Sequence, residues 1–456
     1  MPGKNYRVKA SPARRAALEV GTQVRQRSAF TSELAAKHID QADMSPSDKA
    51  FARRLALGVT SAQGTLDEML NNALHDPREL DPLIRDALRI SCYEIIFLEK
   101  SGYAAVDQGV ELVKSVNPKA GGLANAVLRK ILAAKDTFPW GDVKSDTAAF
   151  ARLYAFPLWL TELLITEFGR EGAQAFMEAS NDPSPLFIAV NALKASDTEV
   201  EAVFSALDVR LFAISLADTP IPGCFLLKDS KALLAPEIKA LIDEGKILVS
   251  DAASQFIAAH ILPDVLPERF LEIGAGRATK TILLQSGAYR RFNSQMSFTA
   301  LDNHGFKMKL LKQRAKTYGV ALVEARVVDA RKLSATFPEK SFDFVFLDAP
   351  CSGLGTLRRH PEIRWRIQPR DITVLAEQGF SLLEEAAKQV KVGGHLAYST
   401  CTITREENNA VIERFLKSDA GKDFELEPIA GKAAFASVVY RGSSDAHFAV
   451  RMARIQ

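Results

Sequence analysis

The chain has 456 residues, 47% of them hydrophobic and 25% charged, and its 58 basic and 55 acidic side chains leave a formal net charge of +3. That length exceeds one ordinary core and predicts two or three domains, while so small a charge excess does not by itself announce a nucleic-acid binder. No stretch approaches the ~20 apolar residues of a membrane helix, and MPGKNYRVKASPARR lacks the apolar segment of a secretory signal, so a cytoplasmic, non-membrane protein is expected. The four cysteines, Cys92, Cys224, Cys351 and Cys401, show no CxxC spacing, which predicts reduced thiols and no metal site.

From Pro12 to about Ala134 apolar residues recur three and four apart in ARRAALEVGTQV, DKAFARRLALGVTSAQGTLDEML and LIRDALRISCYEIIFL, which predicts an all-helical bundle over 1–138. Five basic and no acidic residues lie between Met1 and Leu18. KDTFPWGDVKS breaks the pattern at Lys135–Ser145. Residues 139–245 then mix helix and strand as a small α/β module: YAFPLWLTELLITEFG reads as a helix behind a proline, PLFIAVNAL as a strand, and DTEVEAVFSAL as a helix with an acidic first turn.

From 246 to 456 strands alternate with helices. RFLEIGAG, SFTALDN, ALVEARVVDA, FDFVFLDAP and GGHLAYSTC are apolar runs ending in polar residues or glycine, which predicts a Rossmann-like parallel sheet with ligands at the carboxyl ends of its strands. The arginine-rich run LRRHPEIRWRIQPR, Leu357 to Arg370, can hold phosphates and stack on a base; it can equally be a solvated loop shielding one indole.

The first of these strands runs into Glu272, Gly274, Ala275 and Gly276, then Thr279 and Lys280. Such glycines let a backbone approach a ligand, and the helix start that follows offers free amides to a carboxylate. Asp302 ends the second strand, where it can accept both hydroxyls of a ribose, and Asp329 ends the third, where it suits the amine of an adenine. Each acid alone could be a helix N-cap, but three strand ends in series favour an adenosine-containing cofactor.

The fourth strand delivers Asp348 and Cys351 and the fifth delivers Cys401, so two thiols and a carboxylate should share one cleft. A lone buried cysteine is usually inert. A cysteine hydrolase needs a histidine to activate its thiol, and none is evident at these strand ends. One chemistry uses two thiols, an acid and a methyl-donor pocket. Carbon 5 of cytosine attacks a sulfonium methyl only after a thiolate has added to carbon 6, an acid at N3 assists that addition, and a second thiol can serve the elimination.

DAPCSGLGTLRRHPEIRW and AYSTCTITREENNAVIERFL resemble two blocks of the bacterial ribosomal small-subunit RNA (cytosine-5) methyltransferase B group, within the Nol1/Nop2/Sun family. The resemblance implies that Cys401 is the nucleophile, Cys351 the thiol assisting release, and Asp348 the contact to cytosine N3. It also implies S-adenosylmethionine as cofactor, held by Glu272, Gly274, Ala275, Gly276, Lys280, Asp302, Asp329 and Asp348. LRISCYEIIFL, AAVDQGVELVK and LANAVLRKIL are similar to the NusB-like RNA-binding domain fused to that group, which points to 16S ribosomal RNA as the partner. The chain departs from the family at Ala189, where arginine is usual, and at Ala275–Lys280, where an alanine-proline-glycine-glycine-lysine turn is usual. A NusB-like RNA-binding scaffold with a decayed cofactor loop is the main alternative, and a nicotinamide oxidoreductase is a more distant one that explains neither thiol. Nothing in the sequence calls for an obligate dimer, and a monomer is expected.

Overall fold

In the computed structural model the described residues are 10–98 and 102–456, so the first half of the basic N-terminal run lies outside them. The chain divides into two compact units, one formed by Met1–Pro183 with Leu357–Ile367 and the other by Ser184–Thr356 with Gln368–Gln456. Among the described residues no single helix is long and apolar enough to cross a membrane.

The first unit is helical, with helices at Pro12–Arg27, Pro46–Ser61, Gln63–Ala73, Pro82–Phe97, Gly102–Val116 and Gly121–Ala134, followed by Thr147–Leu153 and Leu158–Asn181. Three of them start the same way. Ser11, Ser45 and Asp81 accept a first-turn amide on their side chains, and each is followed by a proline whose fixed φ and missing N–H suit the first helical position. Their apolar stripes meet in one core that includes Leu55, Leu66, Leu88, Ile95, Leu112 and Leu128. Inside it Arg14 is clamped by Glu94 through two hydrogen bonds of 2.7 and 2.6 Å.

Leu357–Ile367 belongs to this unit although chain order would suggest otherwise. Arg364, fully buried, donates to the Ala155 carbonyl at 3.2 Å, to Asn181 Oδ1 at 2.9 Å and to the Ser180 carbonyl at 3.4 Å, with its guanidinium 4.1 Å from the Phe156 ring centroid. Trp365 Nε1 donates to the Ser61 carbonyl at 2.9 Å, and Arg366 to the carbonyls of Ser28 and Ala29. Trp365 and these two arginines are thus committed within the protein.

The second unit holds two sheets. β1 (Leu186–Val190), β2 (Leu211–Leu216), β3 (Thr219–Leu227) and β4 (Ile247–Val249) form an antiparallel sheet in the order β2-β3-β1-β4. Ala189 is a buried residue of β1, opposite Cys224 and Leu248.

The larger sheet is built from β5 (Arg269–Ile273), β6 (Ser297–Asp302), β7 (Leu322–Val327), β8 (Phe342–Asp348), β9 (Val390–Thr400), β10 (Phe424–Glu427), β11 (Phe435–Ala436) and β12 (Phe448–Arg454). Its order is β10-β12-β9-β8-β5-β6-β7, with β11 paired to β12. β5 through β9 run parallel, while β12 lies antiparallel between β9 and β10. The predicted Rossmann-like sheet is therefore present, extended by an antiparallel edge. Helices Ala252–His260, Thr279–Phe292 and Gly305–Tyr318 cover one face, and Pro369–Lys388 and Asn409–Phe415 cover the other. Phe270 of β5 stacks on Phe298 of β6 at 4.6 Å and meets Phe344 of β8 edge-on at 4.9 Å, which packs the three strands together. The order in which successive strands are added reverses between β5 and β8, which opens a crevice beyond their carboxyl ends.

Candidate active site

β5 ends against β8 so closely that Gly274 tolerates no side chain. Its φ is +82° and a Cβ there would lie 2.4 Å from the Asp348 carbonyl oxygen. The amides of Gly274 and Ala275 both donate to the Leu301 carbonyl, at 3.0 and 2.9 Å, which turns the chain back over β6. Ala278 then takes a left-handed conformation and leaves helix Thr279–Phe292 without a side-chain cap. The first-turn amides of that helix are therefore available to an anionic group, as the carboxylate of an amino-acid cofactor would require.

Asp302 is buried at the end of β6. Its Oδ2 accepts from the Gly276 amide at 3.2 Å and from Lys307 at 3.4 Å, while Oδ1 accepts from the His304 amide at 2.9 Å and lies 3.1 Å from the His304 ring. It thus ties the glycine loop to the next strand end. Glu272 is fully buried one residue before the end of β5, with Thr281 Oγ1 at 2.5 Å from its Oε2, and burial pushes its carboxyl up to about 8. Its position suits anchoring the helix start. Asp329, past the end of β7, is partly exposed and held by Arg331 through its guanidinium and amide, which lower its carboxyl to about 2.

The thiols do meet. β8 and β9 pair in parallel with Asp348 opposite Ser399, and just beyond that register Cys351 Sγ and Cys401 Sγ are 3.3 Å apart, both partly exposed. The Cys401 amide also points at Cys351 Sγ, at 3.3 Å. Lys280 Nζ binds Asp348 Oδ1 at 2.5 Å. Burial alone lowers the Lys280 ammonium, but the Asp348 carboxylate and the adjacent thiols more than reverse this and hold it above the ordinary lysine value. The hydrogen bond from Cys351, opposed by burial and aided by the Lys280 charge, brings the Cys401 thiol below its ordinary value. The same hydrogen bond, with burial and the charges of Cys401 and Glu407, raises Cys351. The contact therefore favours proton loss at Cys401 over proton loss at Cys351.

Backbone closure around the pair depends on Gly355, whose amide donates to the Cys401 carbonyl at 3.0 Å and whose carbonyl accepts from Ala446 at 3.0 Å. A Cβ at that position would lie 2.1 Å from the Ala446 oxygen.

The reading of the sequence missed two acids. Glu407, buried, accepts from Ser352 and Thr404, and Asp445, fully buried before β12, lies close enough to act on Cys401. Glu407 stands in the quoted run AYSTCTITREENNAVIERFL, but nothing local marked it as inward-facing. Asp445 becomes visible only once β12 is known to insert beside β9.

Residues 260–440 match the family model described as 16S rRNA methyltransferase RsmB/F, and residues 11–133 match the NusB family. A probable ribosomal RNA small subunit methyltransferase B of Bacillus subtilis is 30% identical over 425 residues, which cover 92% of each chain. The chain belongs to the RsmB/F family. A ribosomal RNA small subunit methyltransferase B of Thermus thermophilus is similar at 31% identity, over 84% of this chain and 81% of that one. Among solved structures, PH0851 aligns over 98% of this chain and 100% of its own with a TM-score of 0.77 at 24% identity. NSun6 from Pyrococcus horikoshii, solved with SFG, aligns over 67% of this chain and all of its own with a TM-score of 0.55 at 17% identity. Family membership and fold agree: a helical NusB domain precedes a Rossmann-like methyltransferase domain.

Proposed function

We propose that the protein transfers a methyl group from S-adenosylmethionine to carbon 5 of a cytosine in RNA, through a covalent bond between Cys401 and carbon 6. The observation that carries this reading is the 3.3 Å pairing of Cys351 with Cys401 beside the Lys280–Asp348 ion pair. The named relatives act on small-subunit ribosomal RNA, and we take 16S ribosomal RNA as the substrate here as well.

Gly274, Ala275, Gly276, Lys280 and Asp302 would hold the cofactor, which supplies an electrophilic methyl group. The uncapped helix start and the close approach at Gly274 support that fit; Glu272 would brace the loop from beneath and Asp329 would face the adenine. The Cys401 thiolate forms a bond to carbon 6, and the electron density driven towards N3 takes up a proton that the Lys280 ammonium passes through the Asp348 carboxylate and that N3 returns when the ring is restored. Bonding to carbon 6 removes the charge on Cys401 that holds Cys351 protonated, so Cys351 can then ionise and release its proton to water at its partly exposed sulfur. Once carbon 5 carries the methyl group, its proton passes to the Cys351 sulfur. The electrons of that C–H bond restore the ring double bond, and Cys401 leaves as a thiolate.

Incubation with 16S ribosomal RNA and S-adenosylmethionine, followed by denaturing electrophoresis and bisulfite sequencing, tests the proposal. Cys401→Ala should abolish methylation and form no adduct. Cys351→Ala should accumulate an RNA-bound species that requires Cys401. Trapping by the Cys401 variant alone would exchange the two roles, and unaltered methylation in both variants would dismiss the covalent route.

A further inference from the structure

Two chemically identical thiols in contact need something to make them unequal. Lys280 comes from helix Thr279–Phe292 and favours a thiolate at Cys401, but its charge is shared with Asp348 at 2.5 Å. Glu407 reaches the residues that follow both thiols. Its Oε1 accepts from the Ser352 amide at 2.6 Å, and its Oε2 accepts from Ser352 Oγ at 2.7 Å, Thr404 Oγ1 at 2.6 Å and Thr402 Oγ1 at 3.2 Å. Ser352 follows Cys351 and Thr402 follows Cys401, and their hydroxyls are themselves 2.7 Å apart. One buried carboxylate therefore fastens the residue after each thiol. Next to it, Asn408 accepts from Thr400 Oγ1 at 2.6 Å and donates to the Thr402 carbonyl at 3.2 Å, which secures the Cys401 turn from its other side.

We infer that Glu407 is a positioning residue: by clamping Ser352 and Thr402 it sets the distance between the two thiols and assigns Cys401 the role of nucleophile and Cys351 that of proton carrier. The inference rests on the methyl-transfer reading for its purpose, though the clamp itself does not depend on it. The groups facing the thiols are Lys280, Asp348, the Tyr398 hydroxyl of β9, Asp445 ahead of β12, and Glu407. Glu407 raises Cys351, while Asp348 and Asp445 act on Cys401 against Lys280. Its negative charge opposes a second thiolate at Cys351 before attack, and makes Cys351 the better acceptor for the carbon 5 proton afterwards.

Iodoacetamide alkylation of the full-length protein, with each cysteine quantified by peptide mass spectrometry across the neutral and alkaline range, needs neither RNA nor cofactor. The wild type should label Cys401 well ahead of Cys351. Glu407→Gln should cut that preference severalfold, because the carboxylate no longer opposes ionisation of Cys351 and no longer clamps both turns, and Glu407→Asp should restore part of it. Ser352→Ala retains the carboxylate and removes one hydroxyl, so it should shift the preference in the same direction by less, and it decides the matter should Glu407→Gln not fold. An unchanged preference in the folded variants, or a wild type that labels Cys351 first, would overturn the assignment. A preference that collapses in Glu407→Gln, alongside a Cys351→Ala variant that forms no RNA adduct, would sustain the clamp and remove the cytosine chemistry.

Discussion

Cys351 and Cys401 lie 3.3 Å apart, yet ionisation is favoured at Cys401 and disfavoured at Cys351, because the hydrogen bond between them favours the charged form of the first and Lys280 adds a positive charge on the Cys401 side. The sign of the pH dependence follows. Cys401 is lowered from its ordinary thiol value, so methylation should persist below the ordinary thiol range and fail as pH falls through the lowered value. Lys280→Met removes that cation and should move the acid limb of single-turnover methylation to higher pH; an unmoved limb would mean that Cys351 alone sets the thiolate. Glu272 titrates in the other sense. Its carboxyl rises from 4.5 to about 8 on folding, so its contribution to stability is complete below 4.5 and is lost as pH rises towards 8. Glu272→Gln cannot ionise, so its melting temperature relative to the wild type should climb between those limits. A constant difference would show that Glu272 does not titrate on unfolding.

The turn from β5 into helix Thr279–Phe292 depends on two restraints: the close approach of Gly274 to Asp348, and the Asp302 carboxylate that receives the Gly276 and His304 amides. Asp302→Ala removes a charged acceptor from both amides and should weaken S-adenosylmethionine binding by about 1.5–3 kcal/mol. Isothermal calorimetry measures it, and unchanged affinity would take Asp302 out of the pocket. At this scale the sequence was informative where function coincides with strand ends. Apolar runs terminating in Gly274, Asp302, Asp348 and Cys401 announce β5, β6, β8 and β9 because buried parallel strands must end in polar residues. Glu407 and Asp445 were not legible, since a charged residue inside a polar-looking segment gives no local sign that it faces inward. β12 escaped for a related reason: its place beside β9 is set by tertiary pairing, such as Val450 with Tyr398, and no local pattern specifies it.

The run LRRHPEIRWRIQPR shows the same limit across the whole molecule. Its arginines and indole suit RNA phosphates and bases by composition, yet Arg364, Trp365 and Arg366 are used within the first unit, and their partners lie about 180 to 340 residues earlier in the chain. Arg364 is the critical member. It is fully buried, and its two terminal nitrogens donate to two carbonyls and an amide oxygen, which pairs the acceptors left around the end of helix Leu158–Asn181. Replacing it with methionine keeps much of the volume but leaves those acceptors unpaired in a site too enclosed for bulk water. Arg364→Met should therefore lower the unfolding free energy by roughly 2–4 kcal/mol, read from urea denaturation. The same change should free Leu357–Ile367 from its packing, so limited trypsin digestion should cut the variant at Arg366, in a segment that remains protected in the wild type. If Arg364→Met keeps both its urea midpoint and that protection, the segment is secured by Trp365 and Glu362 instead, through their bonds to Ser61 and Thr31.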